Sequence, residues 1–476
     1  MNKFDYSYTD LPRKFYSYNK PIFNDNLDFA LINNSLLKEL DIRVYNNLQL
    51  KKFLFSKNNF KKSYSQAYSG HQFGHFTNLG DGRAIMIGEY LSKKNKRFDF
   101  QIKGAGKTKY SRGGDGKSTL KSMLREYIYS ESLHYLKIPT SRSLAVINTK
   151  EKIYRESIEV GGILVRIMKS HIRVGTFEYA LFYGNNEDLN KLTAYTVNRL
   201  CPQAKLSKNP PLYLLEFVMN QQINLVVNWM RIGFIHGVMN TDNTSISGES
   251  FDYGPCAFIN NYDPEKVYSS IDFNGRYAFG NQSKIIKWNM FRFAEALLPL
   301  IHKNKNVSIE LAESVLNKFD EIWEIKFYGM LLNKIGIINN NKQLFTLVDK
   351  LLILMKKLKL DYTNTFWALS SEDISKNTII KNIEFKEWHE KWIKQINYQY
   401  SIKDCQKLMK KNNPVFIPRN HIVEEAINSA VDGNMYHIKT LLKNMKKPYF
   451  YKKGLENYMK PPTPKFEECY RTYCGT

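Results

Sequence analysis

The spacing of apolar residues changes along the chain, from short alternating runs in the first half to helical intervals in the second. The apolar run AIMIG (84–88) and the alternating segment FDFQIK (98–103) predict β-strands. From Asn220 onwards apolar positions recur mostly at helical spacing, for example over Trp288 to Leu300 and over 343–360. The pattern therefore predicts strands first and a mostly helical part afterwards, without an internal repeat or a long linker.

Two glycine-rich stretches flank these strands. LGDGR (79–83) precedes the first, and GAGKTKYSRGGDG (104–116) follows the second, before a helix predicted from Ser118. Glycine lets a backbone approach phosphate closely, and both stretches carry Lys or Arg, so they indicate a phosphate cradle. Neither is a Walker loop, because that pattern needs glycine where Gln101 and Ser111 stand.

Charged residues lie on or next to the same predicted strands and helix. Lys103 ends a predicted strand and Glu126 lies on the next helix, an arrangement that suggests a kinase-like ion pair holding the lysine on phosphates. A solvated surface glutamate is the alternative. The segment Lys152 to Ile167 predicts a hairpin that turns at Gly161-Gly162. Arg166 and Arg173 flank the sequence after it and suit a polyphosphate, unless both are surface residues.

A polar turn follows an apolar, helix-like run within the segment from Trp229 to Pro255. We predict a second hairpin here, turning at Ser247-Gly248 and bringing Asp252 beside Asn243. An amide and a carboxylate together can hold a hard, octahedral cation. A second carboxylate, Asp242, could then take a proton from an attacking hydroxyl. An ordinary loop is the alternative, since these residue types also form turns.

Composition sets broader limits. At 476 residues and 43% hydrophobic content, the chain can bury a large core in two or three lobes of about 150 residues each. The net charge of +25 points to anionic partners or to a lysine-rich proteome. Because the lysines are spread out and no base-stacking motif is visible, we expect no nucleic-acid partner. The longest apolar runs fall far short of the ~20 residues of a membrane span, and the amino terminus lacks a secretory apolar region.

The cysteines are odd in number and scattered, which fits a reducing compartment better than a disulfide framework. We therefore expect a cytoplasmic protein without membrane association. No CxxC pair or His/Cys cluster has the spacing of a zinc site, and His236 is expected to brace the polar loop. The cysteines are Cys201, Cys256, Cys405, Cys469 and Cys474.

Four long blocks resemble the selenoprotein-O family in order and spacing, over most of residues 60–300, and the likeness continues at NPVFIPRNH (413–421). Four blocks in order are far more specific than a single glycine-rich loop. They are YSGHQFGHFTNLGDGRAIMIGE (68–89), QIKGAGKTKYSRGGDGKSTLKSMLREY (101–127), VRIMKSHIRVGTFEY (165–179) and HGVMNTDNTSISGESFDYGP (236–255).

The resemblance implies an α+β, protein-kinase-like two-lobed fold with family-specific amino-terminal and helical carboxy-terminal extensions. Residues 1–60 would wrap the small lobe, and 61–218 would form the kinase-like N-lobe with its nucleotide loops. Residues 219–460 would form a mostly helical C-lobe with the catalytic and metal loop at 236–254. Residues 461–476 would be a cysteine-containing tail.

The resemblance also implies protein adenylylation, in which AMP passes from ATP to a protein Ser, Thr or Tyr hydroxyl and pyrophosphate leaves. UMP transfer from UTP is a variant. The nucleotide would lie flipped relative to kinases, and Mg²⁺ or Mn²⁺ would be required. We expect a monomer acting on protein substrates. A kinase transferring the γ-phosphate and an inactive, ATP-sensing pseudokinase are the alternatives.

Site residues carry over by motif match. Asp242 would accept the proton, Asn243 and Asp252 would hold the metal, and Glu126 would pair with Lys103. Arg166 and Arg173 would hold the outer phosphates. The nucleotide would be contacted by Gly80, Gly82, Arg83, Lys103, Asp115, Gly116, Arg166, Arg173 and Asp252.

Family members often end with a redox-active Cys or selenocysteine, and Cys474 stands at that position. In some bacterial relatives its partner follows the metal loop, yet VYSSIDFNGRY (267–277) contains no Cys. Cys256 and Cys469 are possible substitutes. The resemblance thus implies a redox role for Cys474, with unpaired thiols as the alternative.

Overall fold

The computed structural model describes residues 4–23, 27–338, 341–370, 382–399 and 401–473. It is a mixed α/β structure with a large antiparallel sheet and many helices. The strands are β1 (Tyr16–Tyr18), β2 (Asp28–Ile32), β3 (Tyr64–Gln66), β4 (Ser69–Gln72), β5 (His75–Asn78), β6 (Ala84–Leu91), β7 (Arg97–Lys103), β8 (Ser118–Thr119), β9 (Arg142–Tyr154), β10 (Ile158–Met168), β11 (Phe234–Ile235) and β12 (Ala257–Phe258).

The helices alternate with the strands at first and then dominate the chain. They are α1 (Asn34–Glu39), α2 (Asn47–Phe55), α3 (Leu120–Tyr135), α4 (Val174–Tyr183), α5 (Asn186–Leu200), α6 (Pro210–Ile232), α7 (Gln282–Ile301), α8 (Lys305–Leu316), α9 (Phe319–Lys334), α10 (Phe345–Lys357), α11 (Tyr362–Leu369), α12 (Ile383–Gln399), α13 (Ile402–Asn412), α14 (Asn420–Val431), α15 (Tyr436–Met445), α16 (Glu456–Met459) and α17 (Pro464–Cys469).

The main sheet has eight strands in the order β1-β3-β6-β7-β10-β9-β2, with β8 paired to β10. β1 and β2, both from the amino-terminal segment, form its two edges. Strands β4 and β5 form a separate hairpin, and β11 pairs with β12. The predicted succession of a strand-rich part and a helical part is therefore confirmed.

The side chains of the central strands point alternately to the two faces of the sheet, and each face borders a different core. Phe100 and Ile102 of β7 belong to a core that includes buried leucines of α1 and α2. Successive side chains of a strand point to opposite faces, so Gln101 and Lys103 face the other side, where α3 packs. Arg166 of β10 faces the same side as Gln101, its direct partner in the sheet. The period of two thus places polar and charged groups beneath α3.

Helix α6 follows α5 and leads into the polar loop. The Asn209 side chain caps its start by accepting a hydrogen bond from the Leu212 amide, and Pro210 occupies its first turn. It ends at Gly233, whose φ of 74° lies in the left-handed region that glycine adopts without strain. Strand β11 follows at once, so the helix end fixes where the loop begins.

The first predicted hairpin is wrong in the position of its turn. β9 and β10 are joined at 155–157, and Gly161 and Gly162 lie inside β10, opposite Thr119 and Ser118 of β8. A Cβ on Gly162 would lie 2.6 Å from the Leu120 Cα. The glycine is therefore needed for the close approach of the start of α3, and its turn-forming character misled the prediction.

The hairpin predicted around Ser247-Gly248 is also wrong. The two sides of this segment do not pair with each other; instead Ser245 bridges Arg173 and Ser250 bridges Thr140. Short polar side chains bond the nearby backbone, as where the Ser245 hydroxyl accepts from the Ser247 amide at 3.2 Å. The segment consequently turns locally and lies against neighbouring strands and loops.

Across the ranges given above, no helix combines the length and apolar character needed to cross a membrane.

Candidate active site

A buried cluster of four charged side chains lies between the main sheet, α3 and the polar loop. Lys103 Nζ is 2.7 Å from Glu126 Oε2 and 2.5 Å from Asp252 Oδ1. Arg166 also bonds both carboxylates, donating from Nε to Glu126 Oε1 at 2.8 Å and from Nη2 to Asp252 Oδ1. The ion pair suggested for Lys103 and Glu126 is thus present, and each cation in the cluster has both anions as partners.

Three different parts of the chain meet in this cluster. Lys103 and Arg166 come from adjacent strands, Glu126 comes from α3, and Asp252 comes from the loop after β11. The Asp252 backbone has φ of 62°, in the left-handed region that is uncommon for any residue other than glycine. This conformation accompanies the return of the loop to the sheet.

Charge balance controls protonation in the cluster. Burial would raise the pKa of Asp252, but Arg166, Lys103 and Arg173 outweigh it and hold that pKa well below the ordinary value. Burial likewise opposes ionisation of Glu126, and Arg166 and Lys103 lower its pKa. Both carboxylates are therefore anionic at neutral pH. Asp252 remains 26% exposed, and no described residue bonds its second oxygen, which leaves that oxygen available to a ligand.

Asp242 lies in a 3₁₀ turn (Thr241–Asn243) whose backbone contacts Arg173. Arg173 Nη1 donates to the Asp242 backbone carbonyl at 3.1 Å, and its guanidinium lies 3.9 Å from the ring centre of Tyr68. Burial raises the pKa of the Asp242 carboxyl to about 6, against the lowering effect of Arg173. Its Oδ1 is buried and makes no hydrogen bond to any described residue. A carboxylate in this state can accept a proton near neutral pH.

The β4–β5 hairpin braces the Asp242 turn. The His71 amide donates to Thr241 Oγ1 at 2.7 Å, and Glu178 accepts from that hydroxyl at 2.5 Å. The Gln72 side chain approaches Asp242 Oδ2 at 3.5 Å. A Cβ on Gly70 would lie 2.5 Å from Asp242 Oδ1, so only glycine fits there without moving the carboxylate. The hairpin therefore fixes both the position and the burial of Asp242.

Asn243 is oriented by the same loop. Its Nδ2 donates to the Val238 carbonyl at 3.1 Å, which turns its side-chain oxygen away from that contact. His236 is buried, and its Nε2 lies 2.9 Å from the carbonyl of Phe251, the residue before Asp252. His236 thus braces the loop, as expected. No hydrogen bond or ion pair within the described chain joins Asn243 to Asp252.

The two glycine-rich stretches lie against each other. Gly80 has φ of 120°, and a Cβ there would lie 2.5 Å from the Tyr110 ring, while one on Gly82 would lie 2.8 Å from the Tyr110 carbonyl. Gly104 donates its amide to the carbonyl of Arg83 at 2.7 Å. Gly80, Gly82 and Arg83 are therefore brought beside the second loop, at the end of the strand that carries Lys103.

Asp115 and Gly116 lie at the far side of the second loop. Asp115 forms a two-pronged ion pair with Arg155, with both N–O distances 3.0 Å. Gly116 has φ of 69°, and its Cβ would lie 2.1 Å from the Gly106 carbonyl oxygen, so it closes the base of the loop. Among the described contacts, none links Asp115 directly to the four-residue cluster.

Two further acidic residues join these groups without a clear signal in the sequence. Asp81 is buried, accepts from the Gln66 amide at 3.0 Å and lies 3.7 Å from Arg173 Nη2. It stands inside LGDGR, where an Asp between two glycines is a signal that also matches an ordinary turn. Glu178, which lies in the third block of the resemblance, has no local pattern that distinguishes it from any helical glutamate.

The cysteines differ in accessibility. Cys201, Cys256 and Cys405 are buried and Cys469 is exposed, all four as free thiols. Burial raises the pKa of Cys256 to about 12, which disfavours a reactive thiolate. Cys474 lies outside the described residues, so its redox role stays a prediction.

We expect Glu126→Ala to lower the free energy of unfolding by about 3–5 kcal/mol, because it leaves two buried cations with one anion between them. Urea denaturation measured by tryptophan fluorescence would test this. Glu310→Ala, at an exposed position on α8, is the matched control and should change stability little. Equal stability of the two variants would contradict a structural role for the buried pair.

Comparison with known proteins decides the family. The model of the family described as "Protein adenylyltransferase SelO" matches residues 2–446. This chain belongs to that family. Similar relatives are the proteins named "Protein nucleotidyltransferase YdiU" from Pelagibacter ubique and Clostridium botulinum, each 47% identical over 99% of this chain and over 99% and 97% of their own lengths. One from Bacillus mycoides is 45% identical, with 99% and 97% covered.

Family membership confirms the resemblance drawn from the four sequence blocks and makes the chain an enzyme of the nucleotidyltransferase class. Four features stay predictions: the kinase-like two-lobed arrangement, the domain boundaries, the metal and the roles of individual residues.

Proposed function

We propose that this enzyme transfers AMP from ATP to hydroxyl groups of proteins and releases pyrophosphate. The observation that carries the proposal is that two carboxylates near Arg173 have pKa values shifted in opposite directions. Asp252 is held anionic among three cations, whereas the pKa of Asp242 is raised to about 6 by burial. Transfer of a phosphoryl-type group needs both a charge-neutralising centre and a proton acceptor. The family description and the relatives' names support the same activity.

The cationic side chains would bind the phosphates. Lys103 and Arg166 are engaged by Glu126 and Asp252, which balance their two charges and orient their donors toward one place. Arg173, buried beside Asp81 and Tyr68, adds a third cation. Pre-positioned cations stabilise negative charge that develops on a departing pyrophosphate without reorganising during the reaction. The glycine-rich loops would close over the phosphates with backbone amides.

The residues present suit Mg²⁺ or Mn²⁺. The second oxygen of Asp252 is bonded by no described residue, and the one described side-chain contact of Asn243 uses its Nδ2 and not its oxygen. Such cations commonly take one or two protein oxygens and complete their shell with water and substrate phosphates, so a cluster of several carboxylates is not needed. The bound cation would neutralise phosphate charge. Asp252 and Asn243 are the residues that we propose hold it.

Asp242 would act as the general base. Its raised pKa makes the carboxylate a better proton acceptor than an exposed aspartate, yet it is still mostly ionised at pH 7. The hairpin contacts from His71 and Gln72 would keep it aimed at the acceptor hydroxyl. A two-lobed kinase-like fold with a flipped nucleotide would direct the α-phosphate toward this residue. We propose acceptor proteins as the partners of this site.

The position of the transferred label tests the function. The protein would be incubated with a protein extract, Mg²⁺ or Mn²⁺, and ATP labelled at either the α- or the γ-phosphate; labelled UTP forms a third arm. We expect acceptor bands from α-labelled ATP only, together with released pyrophosphate and no labelling by the Asp252→Ala variant. Bands from γ-labelled ATP alone would establish a kinase and overturn the proposal. Labelling from UTP in preference to ATP would assign UMP transfer.

A further inference from the structure

A second site is indicated by a cavity of about 480 Å³ between α6, α9 and the end of α13. Its walls come from residues spaced along one face of each helix, including Asn224, Asn228 and Arg231 on α6 and Lys326 and Asn333 on α9. It shares no residue with the candidate active site. Its volume falls in the usual range of small-molecule sites, about 300–1,000 Å³.

The lining carries positive charge without a counter-charge. Lys137, Arg231, Lys326 and Lys411 line the cavity, and no Asp or Glu does. None of these four forms a salt bridge with a carboxylate in the part of the chain that the structure describes. Lys137 and Lys411 are exposed and Lys326 is half-buried, so Arg231 is the one of these four that is largely removed from water. A buried charge is normally paired, so an unpaired Arg231 surrounded by lysines favours an anion from solution.

Arg231 gives the strongest indication, because it is only 7% exposed. Its guanidinium donates to four neutral groups: from Nε to Asn228 Oδ1 at 3.1 Å, from Nη1 to the Asn412 carbonyl at 3.2 Å and the Tyr449 hydroxyl at 2.6 Å, and from Nη2 to the Leu136 carbonyl at 2.8 Å. These contacts fix its orientation but leave its charge uncompensated. Arg231 can therefore offer a phosphate its uncompensated charge and the second N–H of Nη2, which has no described partner.

A buried lysine lies behind Arg231. Lys334 is 1% exposed, donates from Nζ to the Arg231 carbonyl at 2.8 Å and stacks 4.1 Å from the ring centre of Phe366. Burial, followed by the charge of Arg231, lowers the pKa of Lys334 well below its usual value. The shift favours the neutral form of Lys334, so the charge of this region comes from Arg231 and the lysines that line the cavity.

We propose that this cavity binds a small phosphate-bearing anion at a site separate from the catalytic centre. Its phosphate would lie against Arg231 and be bound at the rim by Lys326 and Lys411. The side chains of Val227, Ile325 and Met330 supply apolar wall for an organic group on the same ligand. An acidic peptide would also meet the charge of this cavity, which is open to solvent, but a volume of about 480 Å³ is in the range of small-molecule sites.

Calorimetric titration of the full chain with inorganic pyrophosphate, in metal-free buffer containing EDTA, tests the proposal. The cavity variant is Lys326→Glu with Lys411→Glu. The matched control is Lys305→Glu with Lys410→Glu, which makes the same change in net charge at exposed positions outside the cavity. A Lys103→Ala variant separates this site from the catalytic one. Arg231 itself is left intact because it supports the backbone at Leu136.

We expect pyrophosphate to bind the wild type, the control and Lys103→Ala with similar affinity, and the cavity variant at least about tenfold more weakly. Four results would each overturn the proposal: no binding to the wild type, equal weakening in the control and the cavity variant, loss of binding in Lys103→Ala, or preferential binding of a glutamate-rich peptide. The catalytic proposal does not depend on any of these results.

Discussion

Replacing Asp252 with alanine is expected to abolish metal-dependent nucleotide binding. The substitution removes the one carboxylate that bonds both Lys103 and Arg166 and that still has an oxygen free of described protein contacts. Loss of a charged ligand from a divalent-cation site should weaken binding by at least about 100-fold, since even residues outside the ligand shell contribute about 10–100-fold. Calorimetric titration of Mg²⁺ and ATP into the variant measures this directly.

The alanine variant changes both the charge and the backbone preference at position 252. A second substitution separates the loss of charge from the backbone strain. Asp252 has φ of 62°, where alanine is strained but asparagine is tolerated. Asp252→Asn therefore removes the charge while keeping the loop conformation. We expect it to lose binding almost as fully, with a smaller fall in thermal stability than Asp252→Ala. Asp320→Ala, at an exposed position, is the control and should bind normally. Unchanged nucleotide affinity in both Asp252 variants would exclude the metal role.

The part of the site that sequence could predict is the part built from regular elements. A strand ending at Lys103 and a helix carrying Glu126 have clear periodicity, and an antiparallel sheet beneath a helix brings their side chains together. Arg166 is identifiable as a candidate phosphate ligand because it and Arg173 flank the segment that follows the predicted hairpin. One of its two carboxylate partners, Asp252, lies in a loop that reaches the sheet from a distant part of the chain, which no local pattern encodes.

Both errors in the predicted hairpins have one physical origin. Glycine and serine adopt turn conformations, but glycine is also required wherever two backbones approach closely. At Gly162 the start of α3 lies within contact distance, so the residue sits inside a strand. Gly248 does have φ of 72°, but the segments on either side pair with Thr140 and Arg173. The local sequence indicates which backbone conformations a residue prefers. It does not indicate which neighbouring segment requires that residue at its position.

Replacing Asp242 with asparagine is expected to lower turnover by about 10²–10⁴-fold, the usual contribution of a general base, while nucleotide affinity stays close to wild type. The affinity should persist because Arg173 contacts the backbone carbonyl of residue 242 and not its side chain. Single-turnover transfer from α-labelled ATP, with nucleotide affinity measured in parallel, separates the two quantities. Gln72→Ala serves as a milder comparison, since it removes only the 3.5 Å contact to the carboxylate.

The pH dependence identifies the group independently. Asp242 must be ionised to accept a proton, so wild-type kcat/KM should fall as the pH drops below about 6, the pKa to which burial raises this carboxyl. The folded protein binds this proton more tightly than the unfolded chain, in which the aspartate has its ordinary pKa of 3.8. Ionisation of Asp242 therefore costs stability, fully above pH 6 and not at all below 3.8. Asp242→Asn should lose both this cost and the acid limb of the rate profile. A variant that retains wild-type turnover, or an unchanged acid limb in its residual activity, would show that another group takes the proton.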